Sequence, residues 1–295
     1  MTAPRFDTIS FLSDYGRADE FVGVVHSVIR TIAPHVAVID VTHDIAAHDV
    51  RAGGLALARS AQYLAPGVVL AVVDPGVGTD RRAIAVEVGH GESVLVGPDN
   101  GLLASAVAMV GGATRAIELT SPFHRLEAPG PTFDGRDVFA PAAAHLCMGV
   151  PLDDLGPDID PAGLRPGMVP LPQMEDEGLG AEVLWVDRYG NAQLNVGPDE
   201  LDDLGPGAAE VVSVRTDGAP RTAHRVRTYA DLGPGRLGLA VDSYGLLALV
   251  LDQRSAAEEL GVAAGHAVTL TAVAADDGTP AGSGASSPVS LRRKA

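Results

Sequence analysis

The stretch LAVVDPGVGTDRRAIAV, residues 70–86, decides how the first half of the chain is read. Two apolar, β-branched runs flank a carboxylate (Asp74), a Pro-Gly-Val-Gly turn and two arginines, Arg81 and Arg82. A helix after Gly78 would make this a phosphate loop; a strand there would make it a reversal. The residues favour the strand. There is no Gly-Lys-Ser/Thr ending, Gly76 and Gly78 lack the third glycine of a dinucleotide fingerprint, and AIAV continues as β texture. The segment therefore predicts a hairpin, with Pro75, Gly76 and Gly78 setting the turn. A loop of this length has room to fold Arg81 back towards Asp74, where a guanidinium keeps the carboxylate ionised and polarises a water held between them. A surface ion pair is the other reading, and these residues alone do not separate the two.

Outward from this stretch, strand-like runs occur at 8–12, 36–41, 68–73, 83–88 and 93–97. Helical patterns span 18–33, 49–64, 101–110 and 137–148; in the first, Phe21, Val25, Val28, Ile29 and Ile32 recur at helical spacing, and Pro66 stops the second. This order predicts an α/β N-terminal domain, residues 1–160, with a mainly parallel sheet covered on both faces. Residues 150–178 hold six prolines and little periodicity, and the linker is placed at 161–178. Short β runs with frequent turns follow, so 179–274 is read as a smaller antiparallel β-barrel-like domain. The tail from 275 to 295 is low-complexity and is expected to be disordered.

In an open parallel sheet, ligands bind beyond the carboxyl ends of the strands. Four strands here run into an acid: Asp14, Asp44, Asp74 and Asp99. One such aspartate suits a turn or cap, but four in one half-chain point to a polar pocket on one edge. The segment HDIAAHD (43–49) looks like a metal site, yet His43 and His48 are five apart, the wrong step for one helical face, and Asp49 suits a helix N-cap. No metal is expected.

With 46% hydrophobic and 20% charged residues, the chain can bury a sizeable core. A formal charge of −17 repels phosphate backbones, so a nucleic-acid partner is disfavoured. The single cysteine, Cys147, excludes an intrachain disulfide and reads as a buried, inert thiol. Neither a signal-peptide pattern nor an apolar run of about 20 residues is present, so no membrane is implied and a cytoplasmic location is expected.

Seven segments carry a resemblance: FLSDYGRADEFVGVVHSVI, VTHDI, VVDPGVGTDRR, VGPDNGLL, PTFDGRDVFAPAAAHL, DRYGN and DSYGLLAL. Their order resembles that of the S-adenosyl-L-methionine (SAM) hydrolases, adenosine-forming, also called SAM hydroxide adenosyltransferases, which are relatives of the fluorinase and chlorinase enzymes. The match runs over about residues 7–273. It implies a homotrimer with each active site between the N-terminal domain of one subunit and the C-terminal domain of its neighbour. It also implies attack of water-derived hydroxide on C5′ of SAM, giving adenosine and L-methionine, with SAM as substrate and no cofactor.

By this resemblance Asp74 and Arg81 handle the water. Asp14 grips the ribose hydroxyls, Asp19 contacts the methionine side, Asp187 accepts the methionine ammonium and Asn191 reads the adenine edge. Tyr189 stacks on the base or sits in the barrel core, Ser243 meets the methionine carboxylate, and Phe133 packs near C5′ or is structural. Asp99 and Asn100 read as turn-and-cap residues. Three departures matter. The hydrolase pattern TFHGRD reads TFDGRD here, so Asp134 replaces a histidine beside Asp74 and Arg81, and hydrolysis is expected to persist with an altered pH profile. Gly135 matches the chlorinase-like small residue, but Asp74 stands where the halogenases have a tyrosine segment, and a carboxylate beside an incoming halide costs Coulomb energy. The arginine that follows the serine in the fluorinase is Tyr244 here, so carboxylate recognition must differ. The competing readings are a SAM-dependent halogenase and a catalytically silent SAM- or adenosine-binding protein.

Overall fold

The structure, a computed structural model, describes residues 4–208 and 210–273. The tail expected to be disordered from residue 275 lies outside the described residues. The chain divides between Pro170 and Leu171 into two compact units.

The first unit runs β1 (Thr8–Ser13), α1 (Phe21–Ile32), β2 (Ala37–Thr42), α2 (Val50–Ala61), β3 (Val68–Val72), β4 (Ala83–Val88), β5 (Ser93–Pro98), α3 (Ala104–Met109), β6 (Ala113–Glu118), α4 (Ala140–Cys147) and β7 (Asp158–Ile159). The sheet order is β2-β1-β3-β5-β4-β6-β7. The first four are parallel; β4, β6 and β7 each run antiparallel to the strand before them in that order. Strand β3 explains the two covered faces. Its neighbours along the chain alternate, so Val68, Leu70 and Val72 join one core with residues of α1 and α4, while Val69, Ala71 and Val73 join another with residues of α2 and α3. Each fully buried Val, Leu or Phe contributes about 1.5–3 kcal/mol on removal from water.

The stretch 70–86 is not a hairpin. β5 lies between β3 and β4, parallel to the former and antiparallel to the latter, so the tight reversal is β4–β5. The loop after β3 must cross the end of β5, a span of two strand spacings or about 9.6 Å. Both feet of this crossing are tied to the loop leaving β5. Asn100 Nδ2 donates to the Val73 carbonyl at 2.8 Å, and the Asp99 N–H donates to the Arg82 carbonyl at 2.9 Å.

The second unit contains β8 (Gln173–Glu175), β9 (Gly178–Val186), β10 (Ala192–Leu194), β11 (Val211–Arg215), β12 (Arg221–Val226), β13 (Leu237–Val241), β14 (Leu247–Val250) and β15 (Ala267–Ala272). The order β10-β14-β13-β12-β11-β15-β9 is closed by pairing of β9 with β10, giving a seven-stranded barrel with β8 added to β9. Closure leaves no free edge in the ring. One ring pair departs from the antiparallel pattern: β12 and β13 run parallel, so a crossover rather than a hairpin joins them. Among the described residues no helix is long and apolar enough to cross a membrane.

Candidate active site

Parallel β1, β2, β3 and β5 bring Asp14, Asp44, Asp74 and Asp99 to one edge of the sheet, and the four meet different fates. Asp99 is buried, 4% exposed, and is held by Arg82 at 2.9 and 2.5 Å and by the Arg165 N–H at 2.8 Å, so it serves the loop. Asp44 is exposed, and its N–H donates to Thr42 Oγ1. Asp14 and Asp74 line a cavity of about 230 Å³ together with Tyr15, Phe133, Asp134 and Gly135. Asp14 does not cap α1. That helix is preceded by Glu20, and Asp14 Oδ2 instead accepts the His48 N–H at 2.9 Å. His48 holds a positive φ of 68°, uncommon for a residue other than glycine.

The crossing loop folds back on itself as a clamp. Arg81 Nε donates to both oxygens of Asp74 at 3.0 Å, and the same guanidinium reaches Asp74 Oδ2 at 2.5 Å and Asp134 Oδ2. The side chains of Asp74, Arg81 and Asp134 are 6%, 10% and 18% exposed, so this is not a surface ion pair. Burial alone would lower the arginine pKa, but the hydrogen bonds to Asp74 and Asp134 outweigh it and hold Arg81 above its ordinary value. Two carboxylates against one guanidinium leave one net negative formal charge, a suitable counter-ion for a cationic ligand. Gly78, at φ 77°, lets the loop approach its neighbour closely: a Cβ there would lie 2.8 Å from the Pro131 carbonyl oxygen.

Asp134 immediately precedes a single π turn, Gly135–Phe139, that leads into α4. Such turns re-aim side chains at functional sites. Here the Arg136 and Asp137 N–H groups both donate to the Phe133 carbonyl at 3.0 Å, and the Arg81 guanidinium carbon sits 5.2 Å from the Phe139 ring centroid. Tyr15 stands across from Gly135, edge-on to Phe11 and Phe133 at 6.4 and 5.6 Å and tilted against Phe21 at 5.7 Å. Burial, then Asp14, Asp74 and Asp134, push its phenol up, with Arg81 opposing, so the hydroxyl stays protonated at neutral pH.

Asp187, Asn191 and Ser243 belong to the second unit, where they line a separate cavity of about 380 Å³ at one mouth of the barrel. Asp187 is engaged by its own turn: Oδ1 accepts the Tyr189 and Asn191 N–H groups at 2.8 and 2.9 Å, and Oδ2 accepts Asn191 Nδ2 at 2.8 Å. Tyr189 is 73% exposed, outside the barrel core and outside this lining, and Asp19 is exposed and outside the lining of the first cavity. Sequence reasoning missed Tyr15 and Thr132 in the first cavity, weighed His48 there only as a metal ligand, and missed Gln193, Arg227, Tyr229 and Asp242 in the second. Tyr15 and Asp242 stand inside SDYG and DSYG, motifs in which Asp14 and the pair Ser243 and Tyr244 drew attention instead.

The residues of HDIAAHD do not gather around a common point. His43 Nδ1 pairs with Ser13 Oγ at 2.8 Å, while Asp49 caps α2 by accepting the Ala52 N–H at 2.8 Å. Among the described residues the ligand-type cluster is His26, Asp40 and His43, with Asp40 Oδ1 at 2.8 and 3.1 Å from the two imidazoles. Burial raises the Asp40 pKa, but hydrogen bonds with His43 and His26 outweigh it and leave the carboxyl below its ordinary value.

Comparison with known proteins bears on this geometry. Residues 9–156 match the SAM hydroxide adenosyltransferase N-terminal domain and residues 181–269 the C-terminal domain of the same family. An (R)-S-adenosyl-L-methionine hydrolase of Salinispora arenicola is 47% identical over 90% of this chain and 97% of its own length. A fluorinase of Nocardia brasiliensis is 28% identical over 91% of this chain and 98% of its own. The crystal structure of an uncharacterized conserved protein from Thermotoga maritima superposes with a TM-score of 0.81 at 32% identity, covering 89% of this chain and 99% of that one.

Proposed function

The chain belongs to the SAM hydroxide adenosyltransferase family, and from that premise we propose that it hydrolyses SAM to adenosine and L-methionine. The observation that carries the reading is the buried clamp of Arg81 on Asp74 and Asp134 in a cavity shared with Asp14. A water held by this array attacks C5′ in line with the C5′–S bond. The bond electrons leave on sulfur, and the water proton passes to the carboxylate array. Because the sulfonium departs as a neutral thioether, no acid is needed on the leaving group, and the chemistry calls for neither metal nor redox cofactor. What the protein supplies is position and charge: Asp14 for the ribose hydroxyls, the clamp for the water, and a negative field for the sulfonium.

The likeness to a hydrolase named for the (R) compound supports the (R) sulfonium epimer as the preferred substrate. The family resemblance supports a homotrimer with active sites shared between subunits. Halogenation is the second reading. Against it stands Asp74, whose side chain is 6% exposed and would face an incoming halide at short range in a poorly solvated pocket. The test is incubation with mixed SAM epimers in heavy-oxygen water. The expected result is methionine plus adenosine labelled at the 5′-hydroxyl, with the (R) epimer consumed first. A chloride-dependent halonucleoside would make the protein a halogenase, and unchanged SAM would make it a silent binder.

A further inference from the structure

The second cavity holds a cation that its own protein does not use. Arg227 directly follows β12, at the start of the crossover to β13, where Val226 pairs with Ala240. Five strand ends meet at this mouth, those of β9, β10, β12, β13 and β14, and Arg227 is the one basic residue among those lining the cavity there. Its side chain makes neither an ion pair nor a hydrogen bond among the described residues, although two carboxylates line the same cavity.

Those carboxylates are committed elsewhere. Asp187 is filled by the turn described above, and Asp242 Oδ1 accepts the Tyr244 and Leu246 N–H groups at 2.8 and 3.2 Å while Oδ2 takes the Gln193 amide. Ser243, next to Asp242, likewise has no hydrogen bond to its hydroxyl among the described residues. Arg227 and Ser243 are both exposed and line the same cavity, so an unpaired guanidinium and a free hydroxyl there can both donate to a carboxylate, the pairing whose charge-assisted hydrogen bonds are strongest. The adjacent acids, although held by their own turns, give this wall a negative field that suits an ammonium. Together they fit the zwitterionic end of an α-amino acid.

We propose that Arg227, with the Ser243 hydroxyl, binds the α-carboxylate of the methionine portion of SAM, the task for which Tyr244 offers no cation. This inference rests on the hydrolase reading. It makes Arg227 a specificity residue that separates SAM from its decarboxylated analogue, in which the carboxylate is absent and the sulfonium, nucleoside and amine remain.

The experiment measures binding of SAM and of decarboxylated SAM by calorimetry to the full native chain, to Arg227→Gln and to Arg227→Lys, with turnover followed in parallel. Loss of one charged hydrogen-bond partner predicts SAM binding weakened about ten- to a hundredfold in Arg227→Gln. Arg227→Lys recovers part of that loss, and the affinity for decarboxylated SAM stays within twofold across the three proteins. Unchanged SAM affinity in Arg227→Gln, or an equal loss for both ligands, overturns the assignment. If the native chain binds both ligands without releasing adenosine, the hydrolase reading falls while the comparison still decides the role of Arg227; if it binds neither, both fall.

Discussion

Gly135 is the position where a single methyl group should do the most damage. A Cβ built there lies 2.0 Å from Tyr15 Oη, 3.0 Å from Cζ and 3.2 Å from Cε2, against an ordinary contact of at least 3.4 Å. The hydroxyl would have to retreat by about 1.4 Å. Phe11, Phe21 and Phe133 stand around its ring, so the retreat is forced towards the cavity that Tyr15 lines. Overpacking of this kind costs about 1–3 kcal/mol. For a unit of this size each kcal/mol lowers the melting temperature by about 2–4 °C, so Gly135→Ala should melt roughly 2–12 °C below the native protein. The same displacement moves Tyr15, the neighbour of Asp14, within the cavity wall, and a shift on the order of 1 Å costs about a hundredfold in kcat/KM. Scanning calorimetry and SAM turnover measure the two effects. In a Tyr15→Phe background the worst contact disappears and the 3.0 Å one remains, so the methyl group should cost less there. A Gly135→Ala protein that melts within 1 °C of native and turns over SAM within about twofold would refute the reasoning.

Arg81→Lys keeps the charge but cannot span two carboxylates, and kcat should fall about 10²–10³-fold, read by chromatography of adenosine released. Asp134→Ala removes one of the two anions that Arg81 bridges; its pH–rate curve should depart from the native one, and superimposable curves would place Asp134 outside the catalytic array. His145 is held below its ordinary value by burial and then by His124, whose ring is 4.8 Å away. The unfolded chain therefore takes up this proton first as pH falls, and native stability should drop below about pH 6.5. Thermal melts of His145→Gln between pH 5 and 7 should show a weaker dependence, and an unchanged slope would acquit the histidine.

Much of this was legible in the residues, for physical reasons that differ by element. The buried strands of the first unit carry runs of apolar residues long enough to recognise, and the closed barrel betrays itself through short β runs at regular spacing. What local pattern does not encode is who pairs with whom. β4 looks like the return arm of a hairpin because nothing within residues 70–86 reveals that β5 will be inserted ahead of it. β7 and β10 have two and three residues, too few for alternation to show. The parallel arrangement of β12 and β13 is equally silent in sequence. At the site, four acids gave one signal, an aspartate after a strand, yet only Asp14 and Asp74 reach the cavity. Topology chose between them: Asp99 leaves the strand that the crossing loop passes over, and so is used to hold that loop. Tyr15 escaped notice because its phenylalanine neighbours are brought to it by the fold, while in SDYG it stands beside a more conspicuous acid.

The tethered passage over β5 has an implication for engineering. Its two abutments, Val73 and Arg82, are fixed to Asn100 and Asp99 rather than to each other. The seven residues from Pro75 to Arg81 can therefore be exchanged as a cassette without disturbing the register of either flanking strand. A randomised library confined to that cassette would sample new nucleophile-handling chemistries on an unaltered scaffold.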